Sequence, residues 1–178
     1  MRNDIEKILI SEDEISRKTK EIGRQISKEY KGKEVLVVGI LKGSSVFMSD
    51  LIREIDIPLQ IDYMVVSSYG TSTQSSGVVR IEKDLQHSIE GKHIIIVEDI
   101  VDTGLTLAYI KKILTGRNPS SIKICTLLDK PARREKNVDI DYAGFEVPDE
   151  FIVGYGIDYA EYYRNLPFIG ALKRSVYE

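Results

Sequence analysis

The hydrophobic residues of this chain follow a helical period in some segments and form continuous runs in others. After Ser11, apolar residues recur at helical spacing and Glu14 stands three positions on, which predicts a capped amphipathic helix over residues 12–30. Several later segments are instead short apolar runs rich in β-branched residues, a pattern typical of strands buried on both faces. These runs are residues 34–41, 93–98 and 122–128.

The order of the remaining elements predicts the fold class. Helices are expected at about 46–55 and up to about 114, between the strand-like runs, and short strands at 139–145 and 151–153. Strands that alternate with helices predict an α/β fold with a mainly parallel sheet flanked by helices. Ligands bind at the carboxyl ends of parallel strands, so the loops after Leu41, Val97 and Leu128 form the candidate site.

One pair of strand-like segments has a different character. Segments 59–66 and 78–82 enclose a stretch rich in serine, threonine and glycine, which predicts a long hairpin with a flexible tip.

Composition narrows the class of protein. A length of 178 residues favours one domain, and a net charge of −3 gives no reason to expect nucleic acid or an acidic membrane surface as a partner. The single cysteine, Cys125, excludes an intrachain disulfide and fits a reducing compartment. The apolar runs are far shorter than the about 20 residues that a membrane helix needs. We therefore expect a soluble cytoplasmic protein.

The segment 94–106 carries the clearest chemical signal. An apolar strand is followed by two adjacent carboxylates, Glu98 and Asp99, then by Asp102 and a Thr-Gly-Leu-Thr sequence at a helix start. A helix N-terminus favours an anion, and Gly104 allows close approach of the backbone. The carboxylates repel phosphate, so they suit hydroxyl groups, a divalent cation or a proton. A ribose 5-phosphate with Mg²⁺ combines these features.

A plainer interpretation is that Asp99 or Asp102 only caps the following helix. That interpretation leaves two carboxylates without a use at the exit of a buried strand, where they are costly.

The segment 94–106 resembles the phosphoribosyl-pyrophosphate motif of type I phosphoribosyltransferases: four apolar residues, two acidic residues and a short loop with Asp-Thr-Gly. Landmarks from Leu41 to Arg164 resemble, more narrowly, the hypoxanthine-guanine phosphoribosyltransferases. The resemblance implies the type I fold, with a small hood contributed by roughly residues 1–12 and 139–178.

The resemblance implies roles for this segment. Glu98 and Asp99 would contact the ribose hydroxyls, and Asp102 would act as general base or acid at purine N7. The 5′-phosphate would be bound by Thr103, Gly104, Leu105 and Thr106. The family often has a lysine where this chain has Leu105, which removes one charge contact.

The resemblance also assigns the pyrophosphate side. Lys42 and Gly43 match its binding loop, in which the Leu41–Lys42 peptide would be cis, and Arg164 matches an arginine that contacts pyrophosphate. Taken alone, Lys42 would be a solvated loop residue and Arg164 a member of a surface ion pair. Ser68 and Tyr69 match a mobile lid that closes on this side. The implied Mg²⁺ contacts are Glu98, Asp99 and Asp158.

The resemblance assigns the purine-binding residues to the last third of the chain. Lys130 matches a lysine that donates to the purine's oxygen at C6, Phe151 the aromatic that stacks on the base, and Ile152 a residue offering backbone groups to its edge. Without the resemblance, Lys130 would be solvated and Phe151 a core residue. Arg133 and Arg134 are expected to be solvated.

The implied reaction is Mg²⁺-dependent transfer of a phosphoribosyl group from phosphoribosyl pyrophosphate to N9 of hypoxanthine or guanine, giving IMP or GMP, by a homodimer or homotetramer. Three alternatives stay open: a xanthine or pyrimidine phosphoribosyltransferase, a nucleic-acid-binding regulator on the same fold, and a nucleotide-binding module without turnover. Lys130 and Phe151 argue against pyrimidines but do not rank the 6-oxopurines. The intact acidic residues and the absence of a basic patch weigh against the regulator.

Overall fold

A computed structural model describes residues 1–68 and 79–178. Within these residues a six-stranded sheet has the order β4-β3-β2-β5-β6-β7, and its neighbours are parallel except for the antiparallel pair β3–β4. The predicted parallel sheet is therefore confirmed. The strands are β2 Val35–Leu41, β3 Gln60–Ser68, β4 Val79–Lys83, β5 His93–Val101, β6 Ser121–Asp129 and β7 Tyr142–Glu146.

Helices cover both faces of this sheet, because its central strands are apolar on both faces. Val37 and Ile95 belong to the hydrophobic cluster that contains the buried residues of α1 and α2. Their neighbours Val38 and Ile96 belong to the cluster around α3. The helices are α1 Glu12–Glu29, α2 Ser45–Arg53, α3 Leu105–Thr115 and the short α4 Arg174–Tyr177.

A second, small sheet is built from both ends of the chain. Its order is β1-β9-β8, all antiparallel, with bounds β1 Ile5–Ile10, β8 Ile152–Val153 and β9 Ile169–Leu172. Ile10, Ile152 and Ile169 pack in the same cluster as α1 and α2, which joins the small sheet to the main core. Strand β1 is not among the predicted elements, because it buries only Ile10 fully and so lacks an alternating pattern.

The chain departs from the predicted boundaries at one place that affects the site. Strand β5 was expected to end at Glu98, but it pairs with β6 as far as Val101↔Asp129. Glu98 and Asp99 therefore lie inside the strand rather than in the loop after it. In the part of the chain described, no helix is long and apolar enough to cross a membrane.

The predicted capping box of α1 is present. The Ser11 hydroxyl accepts from the Glu14 N–H at 3.4 Å, and the Ser11 N–H donates to the Glu14 carboxylate at 2.8 Å.

Ser11→Ala removes the hydroxyl, so we expect a loss of about 1 kcal/mol in the free energy of unfolding. In thermal melts that corresponds to about 2–4 °C. Ser16→Ala, at an exposed position of the same helix, is the control. Equal melting temperatures for the two variants would contradict the capping role.

Candidate active site

Three adjoining cavities open where the parallel strands end. The hood-side cavity, of about 410 Å³, is lined by Lys130, Phe151 and Ile152. The loop cavity, of about 100 Å³, lies at the start of α3, and the strand-end cavity, of about 190 Å³, lies between β2 and β5. Asp102 lines the first two and Glu98 the last two, so the three cavities adjoin one another, and together we call them the cleft.

The loop cavity surrounds the N-terminus of α3. Gly104 has a left-handed backbone with φ of 80° and caps the helix, and its carbonyl accepts from the Ala108 N–H at 3.0 Å. Thr103, Gly104 and Thr106 line the cavity, whereas Leu105 is outside the lining that the described residues form. Unpaired N–H groups of a helix start attract an anion. The cavity can therefore hold a phosphate.

Glu98 and Asp99 are carboxylates whose surroundings raise the pKa of each and so favour the neutral form. Burial raises the pKa of Glu98 well above its ordinary value, and the neighbouring charge of Asp99 raises it further. Burial also raises the pKa of Asp99 to about 6, although the Ile100 N–H donates to this carboxylate at 2.8 Å. Ionised carboxylates at this position would be stabilised by a cation or by hydroxyl donors.

The loop after β2 packs directly against Asp99. The Leu41–Lys42 peptide is cis, as the resemblance implies. A Cβ added to Gly43 would lie 1.8 Å from Oδ2 of Asp99, so any larger residue would displace the carboxylate. On the other side, a Cβ on Gly156 would lie 2.2 Å from the Gly43 carbonyl oxygen. Gly43 thus occupies a gap that fits only glycine.

Two of the predicted pyrophosphate ligands, Lys42 and Arg164, are cations that already form ion pairs with carboxylates. The Lys42 ammonium is exposed and lies 2.8 Å from Glu161, and the Arg164 guanidinium lies 2.8 Å from Asp158. Arg164 is also 3.6 Å from Glu161, and its buried Nε has no hydrogen-bond partner among the described residues. The sequence reasoning missed Glu161, because its pairing with Lys42 spans 119 positions.

The hood-side cavity combines an ammonium group with an aromatic surface. Lys130 is 7% exposed, which rules out a solvated side chain, and it donates to the Glu150 carbonyl at 2.8 Å. Phe151 is 38% exposed, so it is not a core residue. Its ring stacks on Tyr177 with 4.6 Å between centroids and meets the edge of Tyr159 at 5.2 Å. Tyr177 also lines the cavity, and no sequence pattern marked it.

Asp102 stands at the junction of the hood-side and loop cavities. Its Oδ1 atom is buried without a hydrogen-bond partner among the described residues, although Arg133 Nε lies 3.4 Å away. An unsatisfied buried carboxylate oxygen is unfavourable unless a ligand supplies the donor. Asp102 is therefore placed to accept a proton or hydrogen bond from a molecule in the hood-side cavity.

The expectation of solvated arginines is right for Arg133, whose side chain is 53% exposed, and wrong for Arg134, at 16%. The predicted lid residues stay predictions. Ser68 is the last residue of β3, and its backbone pairs with Val79, whereas Tyr69 lies outside the described residues.

A metal would need ligands beyond the protein. Among the described residues, no group of three or more His, Cys, Asp or Glu side chains could hold a metal ion. Mg²⁺ usually binds through one or two carboxylates together with water and substrate phosphates. Glu98, Asp99 and Asp158 offer carboxylates of this kind, and the charge of Asp158 adds to the factors that raise the pKa of Asp99.

The raised pKa of Asp99 makes its charge a cost to the folded protein. Because the folded pKa is about 6 and the reference value 3.8, the folded state holds more protons between these values. The stability contributed by this carboxyl is therefore present below pH ~4 and is lost as the pH rises through ~6.

Asp99→Asn removes this charge, so we expect the metal-free variant to melt several degrees above the parent near pH 7.5 and close to the parent near pH 4. Thermal unfolding in EDTA at both pH values measures the difference. Asp139→Asn, at an exposed position, is the control. A variant that melts below the parent near pH 7.5 would contradict the assignment.

Known proteins share both the sequence and this geometry. A family model for the phosphoribosyl transferase domain matches residues 2–160. The chain is 57% identical to hypoxanthine-guanine phosphoribosyltransferase of Bacillus subtilis (strain 168), covering 100% of this chain and 99% of that protein. A crystal structure of hypoxanthine phosphoribosyltransferase from Staphylococcus aureus superposes with a TM-score of 0.98 at 53% identity, covering 100% of this chain and 97% of that chain.

A more distant match has the same fold. The hypoxanthine phosphoribosyl transferase of Trypanosoma cruzi, solved in work on the role of its C-terminal region in oligomeric state and enzymatic activity, gives a TM-score of 0.93 at 42% identity. That match covers 97% of this chain and 94% of that chain. The family model and the full-length relatives place this chain in the phosphoribosyltransferase family, among the hypoxanthine-guanine phosphoribosyltransferases.

Proposed function

We propose that this enzyme transfers the 5-phosphoribosyl group of phosphoribosyl pyrophosphate to N9 of hypoxanthine or guanine, forming IMP or GMP and pyrophosphate. The observation that carries the proposal is the position of Asp102, which lines both the hood-side cavity and the loop cavity. A purine in the first cavity and a ribose phosphate in the second would meet beside this carboxylate. The hood-side volume of about 410 Å³ lies in the usual range for small-molecule sites.

The hood-side cavity suits a 6-oxopurine. The Lys130 ammonium carries three N–H donors, of which one reaches the Glu150 carbonyl, so it can donate to an oxygen at C6. An amino group at C6 would bring a donor against a donor. Phe151 offers its ring to the base, a contact typically worth about 1–3 kcal/mol. Ile152 lines the same cavity, and its backbone would contact the purine edge.

The other two cavities suit the activated sugar. The start of α3, with Thr103, Gly104 and Thr106, would bind the 5′-phosphate, and Leu105 would contribute through its backbone. Glu98 and Asp99 would accept hydrogen bonds from the ribose hydroxyls. Their carboxylates would also stabilise the positive charge that develops on the ribose, and this kind of electrostatic contribution usually dominates catalysis.

Pyrophosphate would lie at the strand-end side of the cleft. Lys42, Gly43 and Arg164 are the proposed contacts, and the pairing of both cations with Glu161 would be exchanged for pairing with the ligand. The carboxylates of Glu98, Asp99 and Asp158 fit Mg²⁺, because burial raises the pKa of both Glu98 and Asp99 and so disfavours their charged forms without a cation. Bound Mg²⁺ would neutralise the leaving pyrophosphate.

The reaction is a substitution at the anomeric carbon. The bond to pyrophosphate breaks, N9 of the purine forms the new bond, and the proton on N7 passes to Asp102. The unsatisfied Oδ1 atom of Asp102 is the acceptor that this step needs.

The domain organisation, the oligomeric state and the cellular location of this protein are proposed as well. We propose that residues 1–178 fold as one domain, because the small sheet shares a hydrophobic cluster with the main sheet. We propose a cytoplasmic homodimer or homotetramer. The buried single thiol of Cys125 fits a reducing compartment.

The proposal is tested by an ultraviolet assay with phosphoribosyl pyrophosphate and Mg²⁺, offering hypoxanthine, guanine, xanthine, adenine and uracil in turn. We expect nucleotide from hypoxanthine or guanine, loss of turnover with EDTA, and no turnover of adenine or uracil. Xanthine as the preferred base would replace the proposed substrates. Turnover of none of the bases would overturn the proposal.

The role of Asp102 predicts a defined kinetic defect. Asp102→Asn keeps the size of the side chain but cannot take the N7 proton, so kcat should fall by about 10²–10⁴-fold. Affinity for phosphoribosyl pyrophosphate should change little, because the phosphate contacts come from other groups. Asp139→Asn, an exposed change of the same kind, is the control. Near-normal turnover by Asp102→Asn would rule out the proton transfer.

A further inference from the structure

Arg134 is a partly buried cation that joins the ends of two neighbouring strands. It follows the short 3-10 turn Pro131–Arg133 after β6, and its side chain is 16% exposed. Its guanidinium pairs with the Asp129 carboxylate at the end of β6. The same group donates to the carbonyl of Asp102 at 3.0 Å and to that of Val101 at 3.4 Å. One side chain thus holds the end of β5 against the end of β6.

Backbone hydrogen bonds from the same segment reinforce this contact. We call residues 130–136 the clasp segment. The N–H of Lys130 donates to the Val101 carbonyl at 3.0 Å, and the N–H groups of Glu135 and Lys136 donate to the Thr103 carbonyl at 3.0 and 2.9 Å. The carbonyls of three consecutive residues, 101–103, are therefore all held by the clasp segment.

Holding these carbonyls fixes the direction of the next N–H groups. In a planar trans peptide the C=O of one residue and the N–H of the next point in opposite directions. Carbonyls of residues 101–103 that point at the clasp segment therefore direct the N–H groups of Asp102, Thr103 and Gly104 away from it. These three residues line the loop cavity. The packing is tight, because a Cβ on Gly104 would lie 2.4 Å from the Lys136 carbonyl oxygen.

From this arrangement we infer that Arg134 is a positioning residue for the phosphate loop. It orients the N–H groups of residues 102–104 toward the 5′-phosphate and keeps Asp102 at the junction of the two cavities. Its charge is paired with Asp129, so Arg134 acts through geometry and is not itself a phosphate ligand. The inference rests on the proposed binding of the 5′-phosphate by the loop 103–106.

The positive charge of Arg134 alone cannot orient the phosphate loop. A guanidinium presents several N–H donors in a rigid plane, which reaches a carboxylate and two carbonyls at once, whereas an ammonium is a single point charge on a flexible stem. Arg134→Lys should therefore share most of the defect of Arg134→Gln. A full recovery of function by the lysine would contradict the positioning role.

The test measures binding of GMP and guanosine by calorimetry, together with kcat and both KM values. For Arg134→Gln we expect GMP affinity to fall and the KM for phosphoribosyl pyrophosphate to rise by about tenfold or more, because small misplacements of binding groups are costly. Guanosine affinity and the KM for hypoxanthine should stay within about twofold, since the side chains proposed to bind the base, Lys130 and Phe151, are held by contacts that do not involve Arg134. General structural damage would instead weaken GMP and guanosine alike, and that outcome would overturn the inference.

Matched variants keep the test decisive. Arg117 pairs with Asp84 at 2.9 and 2.7 Å outside the cleft, so Arg117→Gln controls for loss of an Arg–Asp pair. Asp129→Asn and its combination with Arg134→Gln complete a double-mutant cycle, in which non-additive losses of GMP affinity are expected. Additive losses would contradict the joint action of Arg134 and Asp129.

The variant Thr106→Val distinguishes failure of the positioning role of Arg134 from failure of the proposed phosphate site. If Thr106→Val weakens GMP binding while Arg134→Gln does not, the positioning role is wrong and the phosphate site stands. If Thr106→Val, Arg134→Gln and the Asp129 variants all leave GMP affinity unchanged, the phosphate assignment itself is wrong.

Discussion

The constraint on which the rest of this structure depends is the partial burial of two adjacent carboxylates, Glu98 and Asp99, inside β5 where they line the cleft. The strand is apolar on both faces for most of its length, so it is held in the centre of the sheet, and its pairing with β6 continues beyond both carboxylates. Their raised pKa values express this cost. Natural proteins retain such costs mainly at functional sites, where a ligand supplies the missing partners.

The neighbouring elements are arranged around these carboxylates. Gly43 leaves no room between its backbone and Asp99, and Gly156 from the C-terminal part of the chain packs against Gly43 in turn. Cations from two separate segments, Lys42 and Arg164, are held nearby by Glu161 and Asp158. The Lys42–Glu161 pair is exposed and therefore individually weak, so we expect it to be exchanged when an anionic ligand enters the cleft.

The purine side and the phosphate side of the cleft share a single stretch of chain. Lys130, which faces the proposed purine, begins the segment that also holds the carbonyls of residues 101–103. Asp102 lies between the two sides, and its backbone carbonyl and its carboxylate have separate partners. The position of the proposed proton acceptor and the shape of the phosphate loop are thus fixed by the same contacts. The two sides share these contacts because β5 and β6 pair in parallel, which brings their carboxyl ends side by side.

The amino-acid sequence by itself determined the features that depend on local order. These include the period of α1 with its capping box, the strands buried on both faces, and the segment 94–106, whose resemblance to a known motif identified the family. What only the tertiary structure decided are contacts between residues far apart in the chain. This group includes the pairing of β1 with β9, the ion pair of Glu161 with Lys42, the stacking of Tyr177 on Phe151 and the partial burial of Arg134 against Asp129. The sequence does not predict these contacts, because single charged or aromatic side chains follow no periodic pattern. Their partners depend on which distant segments the folded backbone brings together.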